Sequence, residues 1–277
     1  MTESVHFEPI PRHAGLSLRD FKRDYLYPQK PVVITDAMQG WKALNAWTFD
    51  YLKSVCGDTV IQAFRYEDGN YRPDRIERIP LGEFIDNCLS RDWETYPFYV
   101  RDFSGLFLDR PDLLADFSIP GYFFNWFKFL PSFLRRPGPR IFIGPKGATT
   151  NLHQDIWSTH AWLGQLQGRK KWVLFSPDQK DFLYKNCWAV RPDNPDLARF
   201  PKFAEARGVE TTLGPGEIIF VPGNWVHWVT SLDPTLSITD NFMGPGNFGP
   251  CLAGTFHDFV LPRVRRVLPK RLATARS

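Results

Sequence analysis

Between Arg140 and Phe242 the chain runs through a dense succession of short apolar segments broken by Pro and Gly, and this pattern constrains the fold more than any other feature. The segments RIFIGP, ATTNLHQD, HAWLGQL, KKWVLFSP, GEIIFVP, WVHWVTSL and TLSITDNF each have strand length. Short strands at this density predict a sandwich or barrel. Composition agrees: 16% aromatic residues, 24 Pro and 20 Gly favour a β-rich domain with long loops over a helical bundle. A hydrophobic share of 43% suffices for a sizeable core, and 277 residues are within reach of one large β domain. The expectation is therefore a single domain over residues 1–277, mainly β with helical additions, its core spanning about 95–245.

Ahead of that core, Leu16 to Tyr27 reads as a short helix, PVVITDA as a strand, and Trp47 to Cys56 as a second helix. TVIQAFRY reads as a strand and YPFYVRDF as a buried one. Between them, IPLGEFIDNCLS carries Leu81, Phe84, Ile85 and Cys88 at helical spacing. A helical, amphipathic extension is expected over about 250–277, with Phe256, Phe259, Val260, Val264, Val267 and Leu268 as its apolar stripe. That stripe either packs back on the chain or forms a homodimer. Ser176 to Gly214 reads as the longest irregular connection, and a role in substrate contact is expected for it.

A formal charge of +4 is too small to imply a nucleic-acid partner. Much of the excess lies in Pro262–Ser277, where Arg263, Arg265, Arg266, Lys270, Arg271 and Arg276 meet no acid. Such a run is either a solvated helix face or a contact surface for a partner, a membrane or a polyanion. Cys56, Cys88, Cys187 and Cys251 form no CxxC pair, so neither a zinc ribbon nor a dithiol motif is indicated. The N-terminus lacks a signal-peptide pattern. The most apolar stretch, Gly121 to Leu134, is interrupted by Asn125, Lys128 and Pro131 and cannot span a bilayer. A cytoplasmic protein without a transmembrane segment is expected.

His153-Gln154-Asp155 places an imidazole and a carboxylate on the same side of an extended chain, where both can reach one ion. His227 lies in GPGEIIFVPGNWVHWV, a strand, a Pro-Gly turn and a second strand. Two His and one carboxylate make the facial triad of non-haem iron oxygenases, which leaves coordination positions open. Alone, His-x-Asp is a weak signal, and the same donors can hold catalytic zinc. Lys170 and Lys171 open the strand KKWVLFSP, and a cation inside a barrel is costly unless an anion pairs with it. In TLSITDNF, alternation puts Thr235, Ser237, Thr239 and Asn241 on one face, as in a lined cavity. Otherwise that stripe faces solvent and the lysine stands in water at a strand end.

In order and spacing, GPKGATTNLHQD, AWLGQLQGRKKWVLFSP, GPGEIIFVPGNWVHWV and SITDNF resemble the JmjC or cupin-like branch of the 2-oxoglutarate oxygenases. PVVITDA and YPFYVRDF fit the N-terminal part of that pattern. The resemblance implies a double-stranded β-helix, a jelly-roll variant. It implies iron(II) held by His153, Asp155 and His227, and 2-oxoglutarate whose distal carboxylate meets Lys170. It implies further cosubstrate contacts from Thr150 and Thr239, with Asn241 as a polar neighbour. Simple alternation puts Thr150 opposite His153 unless the strand bulges. Leu163 stands where relatives carry a cosubstrate-contacting Asn, a departure for which His160 is a candidate compensator, although a histidine so placed is more often a satisfied core or rim residue. The implied reaction consumes O2 and 2-oxoglutarate and hydroxylates an unactivated C–H bond, with a protein or peptide side chain as the leading substrate.

Other readings remain at this point. The same scaffold serves small-molecule hydroxylation and N-demethylation. A zinc or manganese cupin is a different class, as is an interaction module with a vestigial metal site. Trp225 and Trp228, flanking His227, are expected to pack or to wall the pocket. The run Tyr122, Phe123, Phe124, Trp126, Phe127, Phe129 is either core or a substrate platform. His6, His13 and His257 lie outside any motif.

Overall fold

The structure is a computed structural model that describes residues 5, 7–67, 70–103, 105–135, 138–185 and 187–260. Its strands, in chain order, are β1 (Phe7–Pro9), β2 (Arg12–His13), β3 (Val32–Ile34), β4 (Val60–Glu67), β5 (Asn70–Pro80), β6 (Phe98–Phe103) and β7 (Arg140–Gly144). They continue as β8 (Thr149–Gln154), β9 (His160–Gln167), β10 (Lys170–Phe175), β11 (Gly208–Leu213), β12 (Ile218–Val221), β13 (Val226–Ser231) and β14 (Thr235–Phe242). They form a five-stranded sheet, β1-β11-β10-β13-β8, and a nine-stranded sheet, β2-β3-β12-β9-β14-β7-β6-β4-β5.

The eight strands from β7 onward divide equally between the sheets, β12-β9-β14-β7 in one and β11-β10-β13-β8 in the other. All neighbouring pairs within these two sets are antiparallel. The chain crosses repeatedly from sheet to sheet, as a jelly roll requires. Residues facing the space between the sheets come from alternate positions on every strand. The expected mainly-β jelly roll with helical additions is the observed fold.

The N-terminal third adds strands to both sheets as well as helices. β3 pairs antiparallel with β12, β2 parallel with β3, and β1 parallel with β11. On the opposite edge of the large sheet, β6 joins β7 and carries the β4–β5 hairpin. The expected helices form at Leu18–Phe21, continued by a π-turn at Lys22–Leu26, at Phe49–Cys56 and at Leu81–Ser90. Ser17 and Thr48 cap the first and second, their hydroxyls accepting from the backbone N–H of Asp20 and Tyr51.

The main apolar core lies between the large sheet and these helices, with Trp47, Phe84, Phe123, Trp162, Phe220 and Phe242 fully buried. The aromatic run divides. Phe123 stacks on Trp162 with centroids 5.7 Å apart and Phe127 is buried, whereas Phe124 and Phe129 face solvent beside the Lys128 ammonium. After β14, a helix at Phe248–Thr255 and a π-turn at Phe256–Val260 begin the predicted extension. Its remainder, with Val264, Val267, Leu268 and the basic run Pro262–Ser277, lies outside the described residues. Among those that are described, no helix is long and apolar enough to cross a membrane, and Cys56, Cys88 and Cys187 are free thiols.

Candidate metal centre and adjoining anion pocket

β8 and β13 run side by side in the smaller sheet, and their register sets His153 directly opposite His227. Asp155 follows the last residue of β8 in extended conformation, so its side chain leaves the same side as that of His153. One donor atom from each of the three residues lies within 4.8 Å of the others, close enough to share an ion. The two imidazole centroids are 4.1 Å apart.

Backbone carbonyls orient both rings. His153 Nδ1 lies 2.8 Å from the Asn151 carbonyl, and His227 Nδ1 faces the Trp225 carbonyl at a longer 3.4 Å. A proton held on Nδ1 leaves Nε2 of each ring with a bare lone pair. Burial, and then the neighbouring His227, pull the pKa of His153 down to about 4, so the ring is neutral at physiological pH. Burial pushes the Asp155 carboxyl upward, but His227, His153, Arg140 and the Asn241 amide outweigh it and hold the group below its ordinary value. Asn241 Nδ2 donates to Asp155 Oδ2 at 3.0 Å, while Asn241 Oδ1 accepts from Arg140. Asn241, expected as a neighbour of the cosubstrate, thus also fixes the carboxylate. Two imidazoles and one carboxylate suit a divalent cation.

These side chains line a cavity of about 220 Å³ between the sheets, together with Thr150, Lys170 and Thr239. Thr150 reaches it through a β-bulge. Four residues of β8, Thr150 to His153, lie opposite three residues of β13, Val229 to His227. The bulge turns Thr150 to the side that His153 faces, where strict alternation would have opposed them. Thr239 donates to the Trp162 carbonyl at 2.7 Å, which leaves its oxygen free to accept.

Lys170 is 1% exposed, and Nζ donates to the Tyr99 hydroxyl at 2.8 Å. Lys171 leaves the opposite face of β10 and pairs with Glu210. Burial drives the pKa of Lys170 down to about 7 and that of Tyr99 upward. A buried amine that donates to a neutral phenol suits an incoming carboxylate. Tyr99 escaped the sequence reading because β6 reaches the cavity by pairing with β7, a contact no local pattern reveals. Gly144 makes room for it: a Cβ there would stand 2.2 Å from Tyr99 Cδ2. Gly144→Ala should displace the ring and cost about 1–3 kcal/mol of stability. Thermal unfolding, with a 2-oxoglutarate titration in parallel, checks both consequences.

The contacts distinguish among the remaining expectations. His160 is fully buried, its Nδ1 accepting from Gly223 N–H at 2.8 Å and its Nε2 facing the Pro245 carbonyl at 3.0 Å. Both nitrogens serve the fold, and no compensating cosubstrate contact is left to the ring. Leu163 does line the cavity, as an apolar wall. Trp225 and Trp228 do not line it. Trp225 Nε1 donates to the Gln29 carbonyl, and Trp228 packs with Leu152 and Phe203. The connection after Ser176 ends in β11 and encloses its own small core around Leu183, Val190 and Phe203. None of its described residues lines the cavity.

Burial holds the pKa of His160 near 4, below the unfolded value of about 6.5. Between those values the unfolded chain binds the extra proton, so this contribution to stability is intact above pH 6.5 and lost as pH falls toward 4. At pH 5 the loss relative to pH 7 should reach about 2 kcal/mol. Denaturant unfolding at both pH values, with His160→Gln losing that pH dependence, is the check.

Residues 18–245 match the family described as the cupin-like domain. The lysine-specific demethylase JMJ21 of Arabidopsis thaliana is 32% identical over 252 residues, 87% of this chain and 26% of that protein. The 2-oxoglutarate and iron-dependent oxygenase JMJD4 of Gallus gallus is 27% identical over 87% of this chain and 61% of its own. The bifunctional arginine demethylase and lysyl-hydroxylase psr-1 of Caenorhabditis elegans is 29% identical over 84% of this chain and 60% of its own. The chain thus spans 26% to 61% of the lengths of these relatives. The jelly roll, the His-Asp-His cluster and the match across most of the sequence agree: the chain belongs to the cupin-like domain family, in its JmjC branch.

Proposed function

We propose that this chain is an iron(II)- and 2-oxoglutarate-dependent oxygenase that hydroxylates an unactivated C–H bond, with a protein or peptide side chain as substrate. The observation that carries the reading is the pairing, in one cavity, of a His-Asp-His donor set with the buried Lys170–Tyr99 couple. In this reading His153, Asp155 and His227 hold the metal. Lys170 and Tyr99 hold the distal carboxylate of 2-oxoglutarate, and Thr150 and Thr239 offer further polar contacts. A zinc hydrolase or isomerase would use the donors but has no need of a buried cation at the far end of the pocket.

Bound iron with 2-oxoglutarate supplies the oxidation, consuming O2 and releasing succinate and carbon dioxide. The protein's own side chains fix where that happens. The Asn151 and Trp225 carbonyls keep both imidazoles in the ligating tautomer, and Asn241 keeps the Asp155 carboxylate turned to the same point. Lys170, protonated on meeting a dianion, neutralises it inside the barrel, and the Tyr99 hydroxyl supplies a second donor. Leu163, Val221 and Val229 keep water from that half of the cavity.

The relatives' names support a protein substrate, since they describe lysine and arginine demethylation and lysyl hydroxylation. They also favour a second reading, N-methyl hydroxylation leading to demethylation. A cytoplasmic setting is part of the proposal, supported by the free thiols of Cys56, Cys88 and Cys187. So is a homodimer through the C-terminal helices, supported by exposed Phe248, Leu252 and Phe256. The test is incubation with iron(II), 2-oxoglutarate, O2 and a peptide library. Succinate release with gain of one oxygen by a peptide, both abolished in Asp155→Ala, is expected. Loss of a methyl group as formaldehyde would select demethylation, and no product under any condition would count against the oxygenase.

A further inference from the structure

Trp172 stands on β10 two residues beyond Lys170, so both side chains leave one face of the strand, and both line the cavity. Across the ladder to β13, Lys170 pairs with Ser231, Trp172 with Val229 and Leu174 with His227. The indole therefore occupies the rung between the lysine level and the histidine level. Its ring lies 28° from the plane of His227, with centroids 5.9 Å apart. Trp172 is 5% exposed, and its Nε1 is buried with no hydrogen-bond partner among the described residues.

Buried indole N–H groups ordinarily find an acceptor, because leaving one unpaired forfeits its hydration without return. Leu163, Leu174, Val221 and Val229 of the same apolar cluster offer no side-chain acceptor, and the Thr211 hydroxyl, opposite Trp172 on β11, already accepts from Arg12. The cavity is the place from which an acceptor can come. The lysine side of the pocket answers one end of a dicarboxylate, and the indole lies one rung nearer the metal donors.

We propose that Trp172 is a cosubstrate-binding residue, its indole N–H donating to the carboxylate at the metal end of 2-oxoglutarate while Lys170 and Tyr99 hold the distal one. The inference rests on the oxygenase reading and extends it to a residue to which the resemblance assigns no role and which lies outside the donor cluster. Two anchored ends and a ring stacked beside His227 fix the cosubstrate's position along the barrel. A phenylalanine at this position would keep the stacking and lose the hydrogen bond.

The experiment uses the whole chain loaded with zinc(II) as a diamagnetic stand-in, ¹⁵N-labelled at the indoles and titrated with 2-oxoglutarate. The Trp172 indole signal is assigned by its loss in Trp172→Phe or Trp172→Tyr. It is expected to move downfield on titration. The signal of Trp228, whose N–H is also buried and unpaired but lies outside the cavity, is the internal control and should stay in place. By calorimetry, Trp172→Phe should weaken 2-oxoglutarate binding about 10-fold, a change of about 1.4 kcal/mol, with zinc affinity unchanged. A static Trp172 signal, or equal affinity in wild type and Trp172→Phe, overturns the inference and leaves the oxygenase reading standing. Failure of zinc-loaded wild type to bind 2-oxoglutarate at all overturns both.

Discussion

Replacing Lys170 with methionine should stabilise the cosubstrate-free protein while weakening 2-oxoglutarate binding by about two to three orders of magnitude. The two effects share one cause. An ammonium 1% exposed inside the barrel has lost its hydration, and a neutral phenol returns only part of it. Methionine fills similar space without that cost. The cosubstrate, in turn, loses the cation that neutralises it, and a buried carboxylate without its partner is expensive. The pH dependence follows from the same burial, which holds the folded pKa near 7 against an unfolded value of about 10.5. Between those values the unfolded chain binds more protons, so wild-type stability should rise with pH from about 7 to 10.5. Cosubstrate affinity should run the other way, falling above pH 7 as the free amine loses its proton. Lys170→Met should show neither slope. Denaturant unfolding across that range, with calorimetry in buffers of different ionisation enthalpy to count the proton taken up, tests both signs.

His227→Ala should abolish turnover and reduce metal affinity beyond what a single orienting contact is worth. The ring supplies one of three donors, and the remaining pair, His153 and Asp155, comes from one short stretch of β8 and the residue beyond it. Asn241→Ala provides the graded comparison. It leaves all three donors but frees the Asp155 carboxylate, a change expected to cost about 10–100-fold in metal affinity. Isothermal titration with iron(II) or zinc(II), anaerobic for iron, should therefore rank wild type above Asn241→Ala and both above His227→Ala. Equal affinity in all three would remove the metal site from the account.

Much of this was legible in the sequence, for reasons that differ by element. The strands from β7 to β14 were readable because nearly all are apolar segments bounded by Pro and Gly. β11 was the exception, since GVETTL is half polar and looked like loop. β1 and β2, at three and two residues, are too short to carry any period, and β5 is charged and interrupted by Pro73. His153 and Asp155 were readable because an extended chain returns to the same side every second residue. Between Lys170 and Lys171, composition and alternation could not choose, and the family resemblance did. The Thr150 position depends on a bulge that no residue in TTNLHQ announces. Tyr99 and Gly144 depend on β6 meeting β7 across a long loop, a tertiary contact written in neither strand alone. His160 shows the limit from the other side. A histidine near a ligand pair has the right chemistry for the pocket, and only its two backbone partners reveal that it belongs to the core.

The most direct measurement is an anaerobic titration of the metal-free protein with iron(II) and then 2-oxoglutarate, followed by visible absorption. A metal-to-ligand charge-transfer band is expected that needs both additions and is lost in His227→Ala, with Lys170→Met requiring far more cosubstrate to reach it. Iron binding without any such band, in folded wild-type protein at saturating 2-oxoglutarate, would contradict the oxygenase reading.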